Sequence, residues 1–406
     1  MSWKNIQLAE FLEDGRIDIL TGPFGTQLKA SDYAPEGTPL INVRNIGYGE
    51  LRFEKLEFVP DQVVSRLSKH LLEPHDIVFG RKGAVDRHLL VKESEAGWMQ
   101  GSDCIRLRIM TNEIDPVFLS FALRLPSHKQ WMITQCSNKA TMASLNQDII
   151  GRICVKLPDT LMQARIASIL SAYDNLIENN RRRIALLEQA ARLLYREWFV
   201  LLRFPGHKRV RVVDGVPEGW VRKILGDLCR EVRELVKPDA VEFDTPYIGL
   251  EDIPRRSISL NEWGRADQVT SSKHIFREGD ILFGKIRPYF HKVGVTLIDG
   301  ITSSDAIVIR PRDPTLHSLI LMTVSSDPFV AVTAQTMREG SKMPRADWKQ
   351  MQAYPIIFPP YDILSSFESI IRSIVDQLKT LVFTNRKLSG ARDLLLPRLM
   401  NGEIEI

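Results

Sequence analysis

Two stretches of the chain carry apolar residues at alternating steps of four and three. From Gln163 to Phe199 the spacing picks out Ile166, Leu170, Tyr173, Ile177, Asn180, Ile184, Leu187, Ala191, Leu194 and Trp198, with no proline or glycine between them. Phe367, Ile371, Ile374, Leu378, Leu381, Asn385, Leu388, Arg392 and Leu395 follow the same rhythm near the C-terminus. A sustained seven-residue period makes a narrow seam for a partner helix, whereas a helix lying on a core carries a broader stripe. The two segments are therefore expected to pair with each other. The chain leaves the first helix, crosses a second domain and must return, so the pairing is expected to be antiparallel. At 1.5 Å per residue the first segment makes a rod of about 55 Å. Each seam holds one asparagine, Asn180 or Asn385. A buried amide in a seam costs stability but fixes register, because a slipped pairing leaves it unsatisfied. Pro397 lacks an N–H and crowds the preceding turn, so it is expected to end or kink the second helix.

Elsewhere the pattern shortens. Ile77-Val78-Phe79, Ile105 to Ile109, Ile281-Leu282-Phe283 and Ala306 to Ile309 are brief apolar or alternating runs bounded by Gly, Asp and Pro, the signature of strands. Helical patches such as Val117 to Leu125 interrupt them. The expected class is mixed α/β, with two loop-rich globular domains joined by two long antiparallel coiled-coil helices and a dumbbell shape.

The chain also resembles itself. Thr38-Pro39-Leu40-Ile41-Asn42-Val43-Arg44-Asn45-Ile46 returns as Thr245-Pro246-Tyr247-Ile248-Gly249-Leu250-Glu251-Asp252-Ile253. His75-Asp76-Ile77-Val78-Phe79-Gly80-Arg81-Lys82 returns as Gly279-Asp280-Ile281-Leu282-Phe283-Gly284-Lys285-Ile286, with His75 standing where the second copy has glycine. Ser102 to Ile105 matches Ser304 to Ile307, Ser144-Leu145-Asn146 matches Arg345-Ala346-Asp347, and Trp3 to Leu8 parallels Trp220 to Leu225. Matches in one order at slowly drifting offsets mean duplication with loop insertions. A period of roughly two hundred residues means two whole domains, not the short units of a solenoid. The limits read from these patterns are a first domain over 1–158, a helix over 159–202, a linker over 203–218, a second domain over 219–360 and a second helix over 361–406.

Length and charge narrow the function. The chain's 406 residues exceed one ordinary core. No run of eighteen apolar residues and no signal peptide occurs, so neither a membrane span nor a secretion route is expected. The four cysteines form no C-x-x-C pair, which argues against a zinc knuckle or disulfide framework and suits a reducing cytoplasm. With 54 Lys+Arg against 50 Asp+Glu the chain is only mildly basic, which permits nucleic-acid binding without requiring it. There is no G-x-x-x-x-G-K-[ST] loop, no H-E-x-x-H and no G-x-S-x-G. Phe358-Pro359-Pro360-Tyr361 looks like the Asn/Asp-Pro-Pro-Tyr loop of amino-methyltransferases, but Phe358 has no amide or carboxylate to hold an exocyclic amine. It reads, like Leu157-Pro158-Asp159, as a strand end before a long helix. Neither a catalytic nor a metal site is expected.

The polar loops carry the candidate chemistry. Phe79-Gly80-Arg81-Lys82-Gly83 and Phe283 to Lys292 each follow a strand with glycine and cations. Glycine lets backbone approach a phosphate, and arginine can grip guanine O6 and N7 in the major groove. A second pair, Asn138 to Ser144 and Arg338 to Arg345, offers further short donors. The candidate DNA contacts are Arg81, Lys82, Arg87, Lys139, Thr141 and Ser144 in the first copy. In the second they are Lys285, Arg287, Tyr289, His291, Lys292, Ser341, Lys342 and Arg345. Solvated turns would look similar one residue at a time; matched positions in both copies favour DNA. Arg181-Arg182-Arg183 reads as the solvated flank of a helix.

Together these features resemble the specificity subunit of type I restriction–modification systems. The resemblance covers essentially the whole chain. Its more specific parts are Gly22-Pro23-Phe24-Gly25-Thr26, Gly279 to Phe283, Leu193 to Phe199 and Leu394 to Ile404. It implies a non-catalytic subunit whose two target-recognition domains each read one half of an asymmetric bipartite double-stranded DNA site, with the helices setting the gap. It further implies two methyltransferase subunits that use S-adenosylmethionine to methylate adenine, and restriction/translocase subunits that use ATP and Mg, in a cytoplasmic complex. This chain itself would bind no cofactor. The alternatives left open by the residues are a stand-alone sequence-specific DNA-binding protein and, from another class, a methyltransferase or nuclease with a cryptic site.

Overall fold

A computed structural model describes residues 3–53, 55–136, 143–335 and 344–404. The chain divides into two compact units, one of Met1–Leu176 with Leu388–Ile406 and the other of Ile177–Lys387. Both contain a piece of each long helix.

In the first unit a five-stranded sheet runs Ile17–Thr21, Cys104–Ile109, Ile77–Gly80, His88–Leu90, Tyr48–Gly49. A three-stranded sheet sets Thr38–Ile41 between Glu57–Val59 and Met99–Gln100. In the second unit a four-stranded sheet runs Cys229–Val232, Ala306–Pro311, Ile281–Gly284, Val293–Val295. Its five-stranded sheet runs Leu235–Val236, Lys273–Phe276, Gly300–Thr302, Pro246–Ile248, Gly264–Arg265. The apolar strands expected from the sequence are interior ones with both faces covered: Ile77 and Phe79 are buried on one face and Val78 on the other, and Ile281, Phe283 and Leu282 repeat this. In each unit an opening strand pairs antiparallel with the strand before the long helix, Lys4–Gln7 with Cys154–Leu157 and Val221–Ile224 with Pro355–Phe358.

The internal repeat is reproduced bond by bond. Arg108 grips Asp76 through Nε and Nη2 at 2.8 and 2.7 Å, and Arg310 grips Asp280 the same way at 2.7 and 2.6 Å. Leu40 pairs parallel with Met99 as Tyr247 does with Ile301. His75 takes a left-handed φ of 71°, where Gly279 has 86°. Glycine reaches that region without a Cβ clash, whereas histidine does so at a cost.

The long helices span Thr160–Tyr195 and Tyr361–Met400. In the first unit Ile166 and Leu170 share a core with Leu396, Leu399 and Met400, while Leu395 packs on its margin and Tyr173 is half-buried. Arg392 on the seam rhythm does not pack as an apolar residue. Its Nη1 donates to Asp174 Oδ1 at 2.7 Å, and Arg124 donates to Asp174 Oδ2 at 2.6 Å. In the second unit Asn180 Nδ2 donates to Asn385 Oδ1 at 2.9 Å, with Ile177 buried; Leu388, half-buried, belongs to the first unit. Ile184, Leu187 and Leu194 pack on a core that includes Phe367, Ile371, Ile374 and Leu378, and Leu381 is buried. Within each unit the helical pieces run antiparallel, since later residues of the first meet earlier residues of the second.

Beyond Tyr195 one π turn, Arg196–Val200, widens the helix and allows consecutive Trp198 and Phe199 both to be buried. They meet Phe367 at centroid distances of 5.7 and 4.7 Å. Pro397 does not end the second helix, which runs on to Met400. Burial of Leu396, Leu399 and Met400 outweighs the loss of one N–H bond close to the terminus. The turn closes at Gly402, with φ 70°.

Three buried polar groups dock the globular parts on the helices. Gln163 accepts from Asp115 N at 2.8 Å and donates to Glu113 and Pro158 carbonyls at 3.0 Å each. Glu368 Oε2 accepts from Ser318 N at 2.8 Å, the same device at the start of the corresponding helix, where a carboxylate also complements the helix dipole. Glu188 Oε1 accepts from Ser257 Oγ, Ile258 N, Ser259 N and Ser259 Oγ at 2.6, 3.1, 3.1 and 2.8 Å.

Candidate nucleic-acid interface

The loop after the third strand of each repeat is fixed by the same backbone bonds. In the first unit Arg81 N donates to Asp103 O at 2.7 Å and Leu145 N to Arg81 O at 2.8 Å, and Lys82 bridges to Ser144. In the second Lys285 N donates to Asp305 O at 2.7 Å and Ala346 N to Lys285 O at 2.8 Å, and Ile286 bridges to Arg345. Each copy thus brings the described end of its second candidate loop, Ser144 or Arg345, against the first loop at one sheet end. In the first unit the Gly22–Thr26 turn joins them. Gly22 N donates to Cys104 O at 2.9 Å, and Gln147 Nε2 donates to Thr21 Oγ1 at 3.1 Å. A Cβ on Gly22 would lie 1.9 Å from Gly101 O, so this close approach requires glycine.

The same scaffold presents different side chains. The first loop exposes Lys82, whose ammonium sits 3.0 Å from Asp103, and Ser144, while Arg81 is half-buried. Arg87 lies 5.5 Å over the Tyr48 ring, which Lys129 also faces at 3.9 Å. The second loop exposes Arg287, Tyr289 and Arg345, the last 3.3 Å from Asp305. Lys285 is half-buried and donates to Ser304 O at 3.0 Å. Burial lowers its pKa below the ordinary lysine value; Arg233 and Arg345 add to the shift, and Glu231 and Asp305 oppose it.

Two candidates are withdrawn as base contacts. His291 is buried, its Nε2 2.8 Å from Ser325 O and its Nδ1 3.4 Å from Asp327. Burial depresses its pKa, so its role is to anchor the loop as a neutral ring. Lys292 is half-buried and spends its ammonium on Leu250 O at 2.5 Å, tying the loop to the neighbouring repeat segment. Lys139, Thr141, Ser341 and Lys342 lie outside the described residues. The structure adds residues that sequence reasoning passed over. Arg255 is exposed and stands 4.2 Å over Phe290, next to the predicted loop. Phe24 is 62% exposed beside the first cluster. Arg255 follows the repeated segment ending at Ile253, the one signal that placed it near the site.

Residues 7–189 match a family model described as the type I restriction modification DNA specificity domain. That stretch is 183 of the chain's 406 residues, the first repeat and most of its long helix. The specificity subunit MjaIX of a type I restriction enzyme from Methanocaldococcus jannaschii is 22% identical over 66% of this chain, and the match spans 65% of that relative's length. The HindI specificity subunit of Haemophilus influenzae is 20% identical over 83% of this chain and 88% of its own length. The fold is that of a type I S subunit from M. genitalium, with a TM-score of 0.61 at 15% identity covering 98% of this chain and 96% of the other. The matched stretch includes the described residues of the first loop cluster and the first long helix as far as Gln189. Among the described residues no single helix is long and apolar enough to cross a membrane, and no cluster of His, Cys, Asp and Glu could hold a metal ion.

Proposed function

We propose that this chain is the DNA-recognition and scaffold subunit of a type I restriction–modification complex. Each loop cluster reads one half of a bipartite double-stranded site, and the paired helices set the unread gap. The observation that carries this reading is the matched pair of loop scaffolds with unmatched side chains: one backbone design, used twice, offers Lys82 and Ser144 in one copy and Arg287, Tyr289 and Arg345 in the other. Equivalent frames with different donors read different bases, so the two half-sites differ.

The chain catalyses nothing in this account. Methyl transfer from S-adenosylmethionine to adenine belongs to two methyltransferase subunits, and ATP- and Mg-dependent translocation and cleavage belong to restriction/translocase subunits of a cytoplasmic complex. Support for a docking partner comes from Leu186 and Leu193, 63 and 50% exposed at seven-residue spacing, the period a partner helix needs, and from Val200, 51% exposed at the end of the π turn. Leu193 and Val200 border a groove of about 390 Å³ that also includes Met322 and Pro328.

The test is methylation mapping with the Lys285→Ala, Arg287→Ala double variant in the complex. One half of the recognized sequence is expected to relax, each lost base contact contributing roughly 1–3 kcal/mol of discrimination. Equal damage to both halves would contradict the assignment. Four residues inserted near Asn180 are expected to change the gap while both half-sequences persist.

A further inference from the structure

The tip between Arg287 and His291 has no counterpart in the first unit. Gly80 N donates to Arg87 O, whereas Gly284 N donates to Lys292 O, so the second loop is one residue longer. At the start of the tip, Gly83 with φ 76° is replaced by Arg287 with φ 50°, and both donate to the facing loop, to Ala143 O and Pro344 O. The tip ends on a second left-handed residue, His291, with φ 55°. Side chains at such positions are strained and persist only where the surroundings dictate them; such outliers gather at functional sites. The surroundings here do so. Pro288 and His291 are buried, His291 is held by Ser325 O, and Arg256 N donates to His291 O at 2.9 Å. Between these anchors Tyr289 stands 53% exposed, braced edge-on against Phe290 at 5.0 Å. Arg255 and Arg287 stand 4.2 and 5.8 Å from the ring of Phe290, the residue that braces Tyr289. In the first unit Val85 of the shorter loop is buried.

We propose that Tyr289 is a stacking wedge that opens one base step in the second half-site, with Arg255 gripping an adjacent phosphate and Arg287 reading the base edge beside the opened step. Rigid aromatic rings stack on exposed base faces, and side chains inserted at a step unstack it and bend the duplex. Distortion is then confined to one half of the site, and part of its sequence preference comes from how easily that step opens. The inference rests on the DNA-reading role argued above.

The experiment uses the methyltransferase-bound complex and duplexes carrying 2-aminopurine at successive steps of the second half-site, away from the methylated adenine. The wild type is expected to raise the fluorescence at one step. Tyr289→Phe keeps that rise, whereas Tyr289→Ala abolishes it and weakens binding by about tenfold, and no step of the first half-site responds. Arg287→Gly, which removes the strained side chain, is expected to raise the melting temperature while relaxing the second half-site. A complex that methylates a bipartite sequence yet shows no fluorescence rise in the second half overturns the wedge alone. Tyr289→Ala releasing the methyltransferase with the rise intact overturns it in favour of a protein contact. An unchanged or lowered melting temperature for Arg287→Gly counts against the strained tip. Absence of any bipartite methylated sequence removes the DNA-reading role itself.

Discussion

Glu188 joins the first long helix to the reading loop of the second unit, and its removal has a calculable cost. The residue is 7% exposed, and one carboxylate oxygen receives two backbone N–H groups and two hydroxyls from Ser257 to Ser259. One turn on, Arg192 donates to Arg256 O at 2.7 Å, and Arg256 N in turn donates to His291 O at 2.9 Å. The carboxylate thus holds the segment that backs the Tyr289 tip. Glu188→Ala leaves the Ile258 amide without its acceptor and the Ser259 amide with only the Ser257 hydroxyl at 3.4 Å. Each such orphan costs about 1–3 kcal/mol, so a total loss of roughly 3–5 kcal/mol is expected. Glu188→Gln keeps the shape and an acceptor oxygen but removes the charge. Since charge-assisted bonds are about twice as strong as neutral ones, the loss should be nearer 1–2 kcal/mol. Urea denaturation measures both, and amide hydrogen exchange at Ile258 and Ser259 should accelerate before the rest of the unit. A loss under 1 kcal/mol for the alanine variant, or exchange at these amides no faster than the wild type, would refute the reasoning.

Three further outcomes follow from the geometry. Asn180→Leu alone leaves Asn385 short of its partner and should cost about 1–3 kcal/mol, whereas adding Asn385→Leu should recover most of it; additive losses in the double-mutant cycle would contradict an amide pair. His88 is buried against Ser120 Oγ at 2.9 Å, and burial, reinforced by Arg124 and Lys129, lowers its pKa to about 3. Its folded pKa lies below the unfolded value of about 6.5, so its contribution is complete above that pH. It should decline by about 1.4 kcal/mol per pH unit as pH falls toward 3. Denaturation at several pH values should show a shallower acid decline for His88→Gln, and equal slopes would contradict this. His75→Gly should stabilize the first unit by roughly 1 kcal/mol by relieving the left-handed backbone, as read by urea titration, and a loss would show that the imidazole does more than tolerate the turn.

What could be read from the sequence was what periodicity and repetition encode. The helix pair, the central strands and the matched loops follow from spacing alone, since a seven-residue seam or a buried strand leaves its mark on every turn or pleat. The fate of polar side chains leaves no such mark. Lys285, Arg287 and Lys292 are all cations in one loop, but Lys292 lies against Leu250 O and only Arg287 is exposed. His291 reads as a donor in the sequence and is a buried anchor in the fold. Glu188 and Glu368 look like ordinary helix-surface acids because their partners lie dozens of residues away. Pro397 does not end its helix, which continues for three residues because tertiary burial of its neighbours outweighs the local rule. Repetition could have revealed the Asp76–Arg108 and Asp280–Arg310 pairs, since both partners recur in register.

The most direct measurement is base-resolution mapping of methylated adenines in the source genome, with and without this gene. The account predicts a two-part sequence with unlike halves and a fixed gap, methylated only when the gene is present. A contiguous motif, identical halves, or methylation that persists without the gene would contradict it.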